Sequence, residues 1–138
     1  MVELELTALQ SAGLNGHSVA EVQELVEGDL RLCEDGRELY AEQDFPVVKL
    51  AGELRRWLAT PVANRPSFSF DDDSFEQPEG VLLIDRVPSG WRFGSVFAPG
   101  SWSGPVSDAE VDQVVLAYLG TLRLEFSQLL GRELDGYL

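Results

Sequence analysis

The stretch "DLRLCEDGRELYAE", residues 29–42, decides how the rest of the chain is read. Leu30 and Leu32 alternate with polar residues, Asp35-Gly36 is a tight-turn dipeptide, and Leu39 and Tyr40 lie on the return. Alternation on both sides of Asp-Gly is a hairpin signal, because the two-residue turn that suits twisted strands needs positive φ at both central positions. The pattern predicts two adjacent antiparallel strands.

Upstream, "VELELTAL" (2–9) alternates Val2, Leu4 and Leu6 with Glu3, Glu5 and Thr7, the period-two pattern of an outer strand with one wet face. "SAGLNGHS" (11–18) reads as a loop. Residues 19–27, "VAEVQELVE", fit a helix or a strand, with Val19, Val22, Leu25 and Val26 at helical spacing. Downstream, "DFPVVKLAGELRRWLAT" (44–60) offers Asp44 as an N-cap, Pro46 in the first turn, and Val47, Leu50, Leu54, Trp57 and Leu58 on one face. That predicts an amphipathic helix ending before Pro61.

"SFSFD" (67–71), "GVLLIDRV" (80–87) and "GWRFGSVFA" (90–98) read as three consecutive antiparallel strands separated by turn residues. From Ser107, with Glu110 completing a capping box, a long helix carries Val111, Val114, Val115, Tyr118, Leu122, Phe126 and Leu129. The order predicts one α+β domain over residues 1–138. Its expected form is an antiparallel sheet of about five to six strands with two main helices packed on it, the longer one C-terminal.

Composition narrows function. A chain of 138 residues with 44% hydrophobic content has enough apolar surface for one core. Against 10 basic residues stand 24 acidic ones, and a net charge of -14 repels phosphate backbones while attracting cationic proteins. Nucleic acid is therefore an unfavourable partner. With Cys33 the single cysteine and His17 the single histidine, neither a disulfide framework nor a Cys/His zinc set can be assembled. "MVELELTALQ" has acid where a secretory signal has base, and no apolar run approaches the roughly 18 residues of a membrane span, so the expectation is a cytoplasmic protein.

Candidate sites are few. Asp71, Asp72 and Asp73 suggest a hard cation, but adjacent strand residues point to opposite faces and the calcium-loop offsets are missing. The preferred reading is that these three, with Glu76 and Glu79, form an exposed acidic edge that meets a basic protein. Cys33 lies inside an alternating run, where burial as a small hydrophobe raises a thiol pKa, so a Cys33–His17 catalytic pair is not favoured. No nucleotide-loop, zinc-protease or nucleophile-elbow motif occurs, and the expectation is no enzyme, no metal and no cofactor. Trp102, in "PGSWSGP" (99–105), has no periodic element to bury it and is either a contact anchor or folded back over the sheet edge.

"GDLRLCEDGRELY", "FPVVKLAGELRRWL", "GWRFGSVF" and the capped helix from "PVSDAE" together resemble small uncharacterised actinobacterial α+β domains, and more loosely the acidic immunity proteins of bacterial toxin systems. The resemblance implies a stoichiometric inhibitor that covers the cationic active site of a cognate toxin. The runner-up is a non-catalytic structural or regulatory domain, paired as a homodimer through a sheet edge or the long helix. A third reading is a small-ligand binder with a pocket between helix and sheet.

Overall fold

The computed structural model describes residues 1–138. Strands β1 (Val2–Gln10), β2 (Glu27–Glu34) and β3 (Arg37–Phe45) form an antiparallel sheet in that order. The hairpin forms where the sequence placed it: Asp35 (φ 50) and Gly36 (φ 81) both take positive φ, and Glu34 faces Arg37 across the turn. Register sets Leu4 opposite Leu32 and Leu6 opposite Leu30, which buries one face of the sheet. A bulge after Thr7, with Ala8 at φ 54, ends the regular part of β1.

The segment that fitted either structure divides. Val19–Leu25 is helix α1, capped by the Ser18 hydroxyl accepting from the Glu21 amide, and Val26 is already extended as the chain enters β2. Helix α2 (Val47–Leu58) starts at Pro46 with no side-chain cap. Asp44 is not the N-cap; it sits at φ 53 near the end of β3, where its amide donates to the Asp29 carboxylate.

Strands β4 (Phe68–Phe70), β5 (Leu82–Val87) and β6 (Gly90–Gly94) form a second antiparallel sheet. The expected single sheet of five to six strands is therefore two sheets of three. The reason lies in α2, which follows β3 after only Pro46 and packs on both β2 and β4. The chain returns to strand only at Phe68, and the three-residue β4 pairs with β5 alone, so no ladder crosses from β3 to the second sheet. Instead of meeting edge to edge, the sheets meet through rings, Phe45 against Phe70 at 5.4 Å between centroids.

Helix α3 (Asp108–Leu130) has the predicted capping box between Ser107 and Glu110 and ends at Gly131 in the left-handed region. It touches both β1 and β6, so one core runs beneath both sheets. Leu129 departs from the predicted stripe and lies exposed in the last turn. No helix is long and apolar enough to cross a membrane.

The free side of β6 is closed by the chain before α3. The Trp91 and Val106 backbones exchange hydrogen bonds of 2.9 and 2.7 Å, and the approach is close enough that a Cβ on Gly90 (φ +136) would lie 2.1 Å from the Val106 carbonyl oxygen. Gly90→Ala should therefore lower unfolding free energy by about 2 kcal/mol or more, a value set by strain and a displaced backbone pair. Urea denaturation checks this, and an unchanged midpoint would show that the 90–106 pairing is dispensable.

Candidate protein-interaction surface

The acidic stretch becomes a folded loop between β4 and β5. Asp71 accepts from the Ser69 hydroxyl at 2.6 Å and the Gly80 amide at 2.9 Å, which closes the loop at its base. Asp72 has one carboxylate oxygen on the Ser74 amide and hydroxyl, and the other 2.9 Å from Lys49 Nζ on α2. Its amide also donates to the Pro78 carbonyl at 2.8 Å. Burial alone would push the Asp72 carboxyl up, but the Ser74 and Lys49 hydrogen bonds outweigh it and hold the group below its ordinary value. The Lys49 ammonium is raised by the same contact.

Two of the three aspartates thus shape the loop. Asp73, Glu76 and Glu79 remain exposed and accept no hydrogen bond within the chain. Between them Phe75 turns inward onto Phe45 at 5.5 Å and sideways onto Phe97 at 6.1 Å. The Val96 amide donates to the Gly80 carbonyl at 2.8 Å, which fastens the loop after β6 to the acidic loop. Phe97, stacked on Tyr40 with ring planes 12° apart, stays 38% exposed.

Trp102 is half-buried and lies back over β6. A Cβ on Gly94 would sit 2.5 Å from the Trp102 ring, and the Arg92 guanidinium covers that ring at 4.1 Å. Its neighbour Ser103 fixes the segment by pairing with Phe93 through both amide and hydroxyl. The segment after β6 thus meets the acidic loop through Val96 and Phe97, whereas Trp102 packs on β6, and the exposed apolar residue in contact with the loop is Phe97. Sequence reading missed it because Phe97 looked like the end of a strand; the signal was that "SVF" continues past Gly94, where the strand stops, and runs into Pro99-Gly100.

The remaining candidates lie elsewhere. His17 is exposed in the loop before α1, whereas Cys33 is buried in β2, where burial and the nearby Glu5 push its thiol up. No group of three or more His, Cys, Asp or Glu side chains is placed to hold a metal ion.

The chain belongs to the family described as domain of unknown function (DUF7878). The match covers residues 3–128, taking in both sheets, the acidic loop and nearly all of α3. The family's description names neither immunity proteins nor an actinobacterial source. No curated protein and no solved structure matches the chain.

Because Asp72 and Asp73 differ in partners, they should differ in effect. Asp72→Asn should cost about 1 to 2 kcal/mol, since it weakens bonds from a charged and a polar donor, whereas Asp73→Asn should stay within about 0.5 kcal/mol of wild type. The folded-state pKa of Asp72 is depressed, so its contribution is complete above the unfolded carboxylate value of about 3.9 and fades as pH falls through the lower folded value. Urea melts at pH 7 and pH 3 check both statements. Equal losses for the two variants at pH 7 would refute the distinction.

Proposed function

We propose that this domain binds a cationic protein through the 71–79 loop, which carries the exposed Asp73, Glu76 and Glu79, together with the Phe97 ring that Phe75 of the same loop touches, and that it acts as an immunity-type inhibitor covering the basic active site of a bacterial toxin. The observation that carries the reading is the exposed Phe97 ring, held between Tyr40 and Phe75, the latter in a loop whose Asp73, Glu76 and Glu79 have no internal partner. A rigid aromatic with an acidic rim has the make-up of an interface anchor: the ring excludes water while the charges speed encounter.

The charge distribution adds support. Arg31, Arg37, Arg65 and Arg123 pair with carboxylates outside the loop and Lys49 pairs with Asp72, so none of these five forms an ion pair with Asp73, Glu76 or Glu79. Occlusion asks no chemistry of the inhibitor, only a surface that fits. Within such an interface, Phe97 would sit at the centre and Trp102, backed by Gly94 and Arg92, toward the rim.

The test begins with co-expression of the chain beside each cationic toxin encoded next to its gene, scored by growth and by a one-to-one complex on size-exclusion chromatography. Neither protection nor complex would overturn the reading. With a complex in hand, Asp73→Asn, Glu76→Gln and Glu79→Gln together should slow association about tenfold at low salt, with the deficit shrinking as exposed charges are screened over about 8 to 10 Å. Phe97→Ala should instead speed dissociation by about tenfold or more. Unchanged rates in both variants would move the interface off this surface.

A further inference from the structure

β1 is an outer strand of its sheet, and its free edge opens on a groove of about 550 Å³ walled on the far side by α3. The direction of its backbone groups follows from one hydrogen bond. The Asp35 amide donates to the Met1 carbonyl at 3.0 Å, so Met1 and Asp35 form a bonded pair at the end of the ladder. Bonded and non-bonded pairs alternate along antiparallel strands, which turns the N–H and C=O of Val2, Leu4 and Leu6 away from β2 and toward the groove.

Natural sheet edges are commonly blunted by Pro, Lys, a bulge or a covering element. Residues 2–7 contain no Pro and no Lys, the bulge comes only after Thr7, and α3, which lies against β1, leaves the groove between them. The α3 wall of the groove is mixed, with Val114, Ala117 and Thr121 facing it. Glu3, Glu5 and Glu110 also line it, and no lysine or arginine does. Arg31 reaches Glu5 from the side at 3.1 Å, while the Met1 amine is occupied by Asp35, so Glu3 is left without a cation.

We propose that the β1 edge accepts an added strand, an extended segment of a partner protein in which apolar and basic residues alternate. Its backbone pairs with Val2, Leu4 and Leu6, its apolar side chains face Val114 and Ala117, and its basic side chains stand beside Glu3 and Glu5 on the other face. A second copy of this chain fits poorly. In antiparallel self-pairing about Leu4, each Glu3 would stand opposite the other chain's Glu5, and like charges directly opposite are destabilising. This surface is separate from the acidic loop, for Tyr40, which supports Phe97, lies on β3 at the opposite edge of the same sheet.

The probe is a synthetic peptide of alternating lysine and valine, as long as β1, titrated into the intact chain while amide hydrogen exchange is followed by NMR. Exchange at Val2, Leu4 and Leu6 should slow by about tenfold or more, while Glu3 and Glu5, whose amides already face β2, should change little. Ala117→Trp, a substitution at an exposed position, should fill the groove and weaken peptide binding about tenfold, and a glutamate–valine peptide should not protect these amides. No protection at the three residues overturns the proposal, as does equal protection by the glutamate peptide. Protection that grows with protein concentration and no peptide would make a second copy the occupant. Shifts confined to residues 71–79 would reject the edge site and leave the acidic-loop reading standing.

Discussion

No strand ladder joins the two sheets, so their relative position rests on side-chain packing around α2 and the chain that follows it. Trp57, near the C-terminal end of α2, packs on Phe68 of β4 at 5.7 Å and edge-on against Trp91 of β6 at 5.4 Å, while its indole N–H donates to the Pro66 carbonyl. At the other end of α2, the buried Tyr118 hydroxyl of α3 donates to the Val47 carbonyl at 2.7 Å. Each aromatic pair adds only about 0.5 to 1.5 kcal/mol beyond its area. Their joint effect is geometric. Arg65 completes the frame: its buried guanidinium lies over Trp57, donates to the Thr60 carbonyl, and pairs with Asp112 of α3 at 2.5 Å. The half-exposed Asp112 limits what that pair contributes by itself, but removing the aspartate would leave a buried charge short of a partner, a larger penalty than the pair's net worth.

The proposed surface inherits its rigidity from this packing. A series of rings leads from the core to solvent, Phe70 on Phe45, Phe45 on Phe75, Phe75 on Phe97, and Phe97 on Tyr40. The last exposed ring is thus held by contacts that also hold the sheets together. Asp71 and Asp72 set the loop's path from the other side, by binding Gly80, Ser74 and Lys49. A ring and loop fixed before encounter lose less conformational freedom on binding, which lowers the ordering cost of association.

What could be read from sequence was what local chemistry determines. Asp35-Gly36 marks its turn without reference to anything distant, and Ser107 with Glu110 marks the start of α3 in the same way. The division into two sheets could not be read, because alternation identifies strands but not which edges meet. The acidic run illustrates the same limit at the scale of one side chain. Asp72 and Asp73 are chemically identical neighbours, and what separates them is the turn that puts the Ser74 amide and hydroxyl on Asp72, together with Lys49, 23 residues away and brought close only by the packing of α2. Trp102 was open for a similar reason: the space it occupies exists because Gly94 has no side chain, and that vacancy belongs to the folded strand.

Charge then has to be assigned a role by its position. The internal ion pairs are mostly exposed, and pairs of that kind contribute about 0 to 1 kcal/mol each, so they do not account for an excess of acid over base. Net charge this far from zero opposes the compact state through self-repulsion, although it keeps the protein soluble. Solubility asks only that the charge be present somewhere. The unpaired carboxylates of the 71–79 loop share that loop with Phe75, which holds Phe97, and those of β1 stand along a strand whose outward amides and carbonyls face the groove. At both places charge adjoins a group that can hold a partner by short-range contact. In the proposed reading the two act at different stages: the field governs how often a cationic protein arrives, and the ring or the strand edge governs how long it stays.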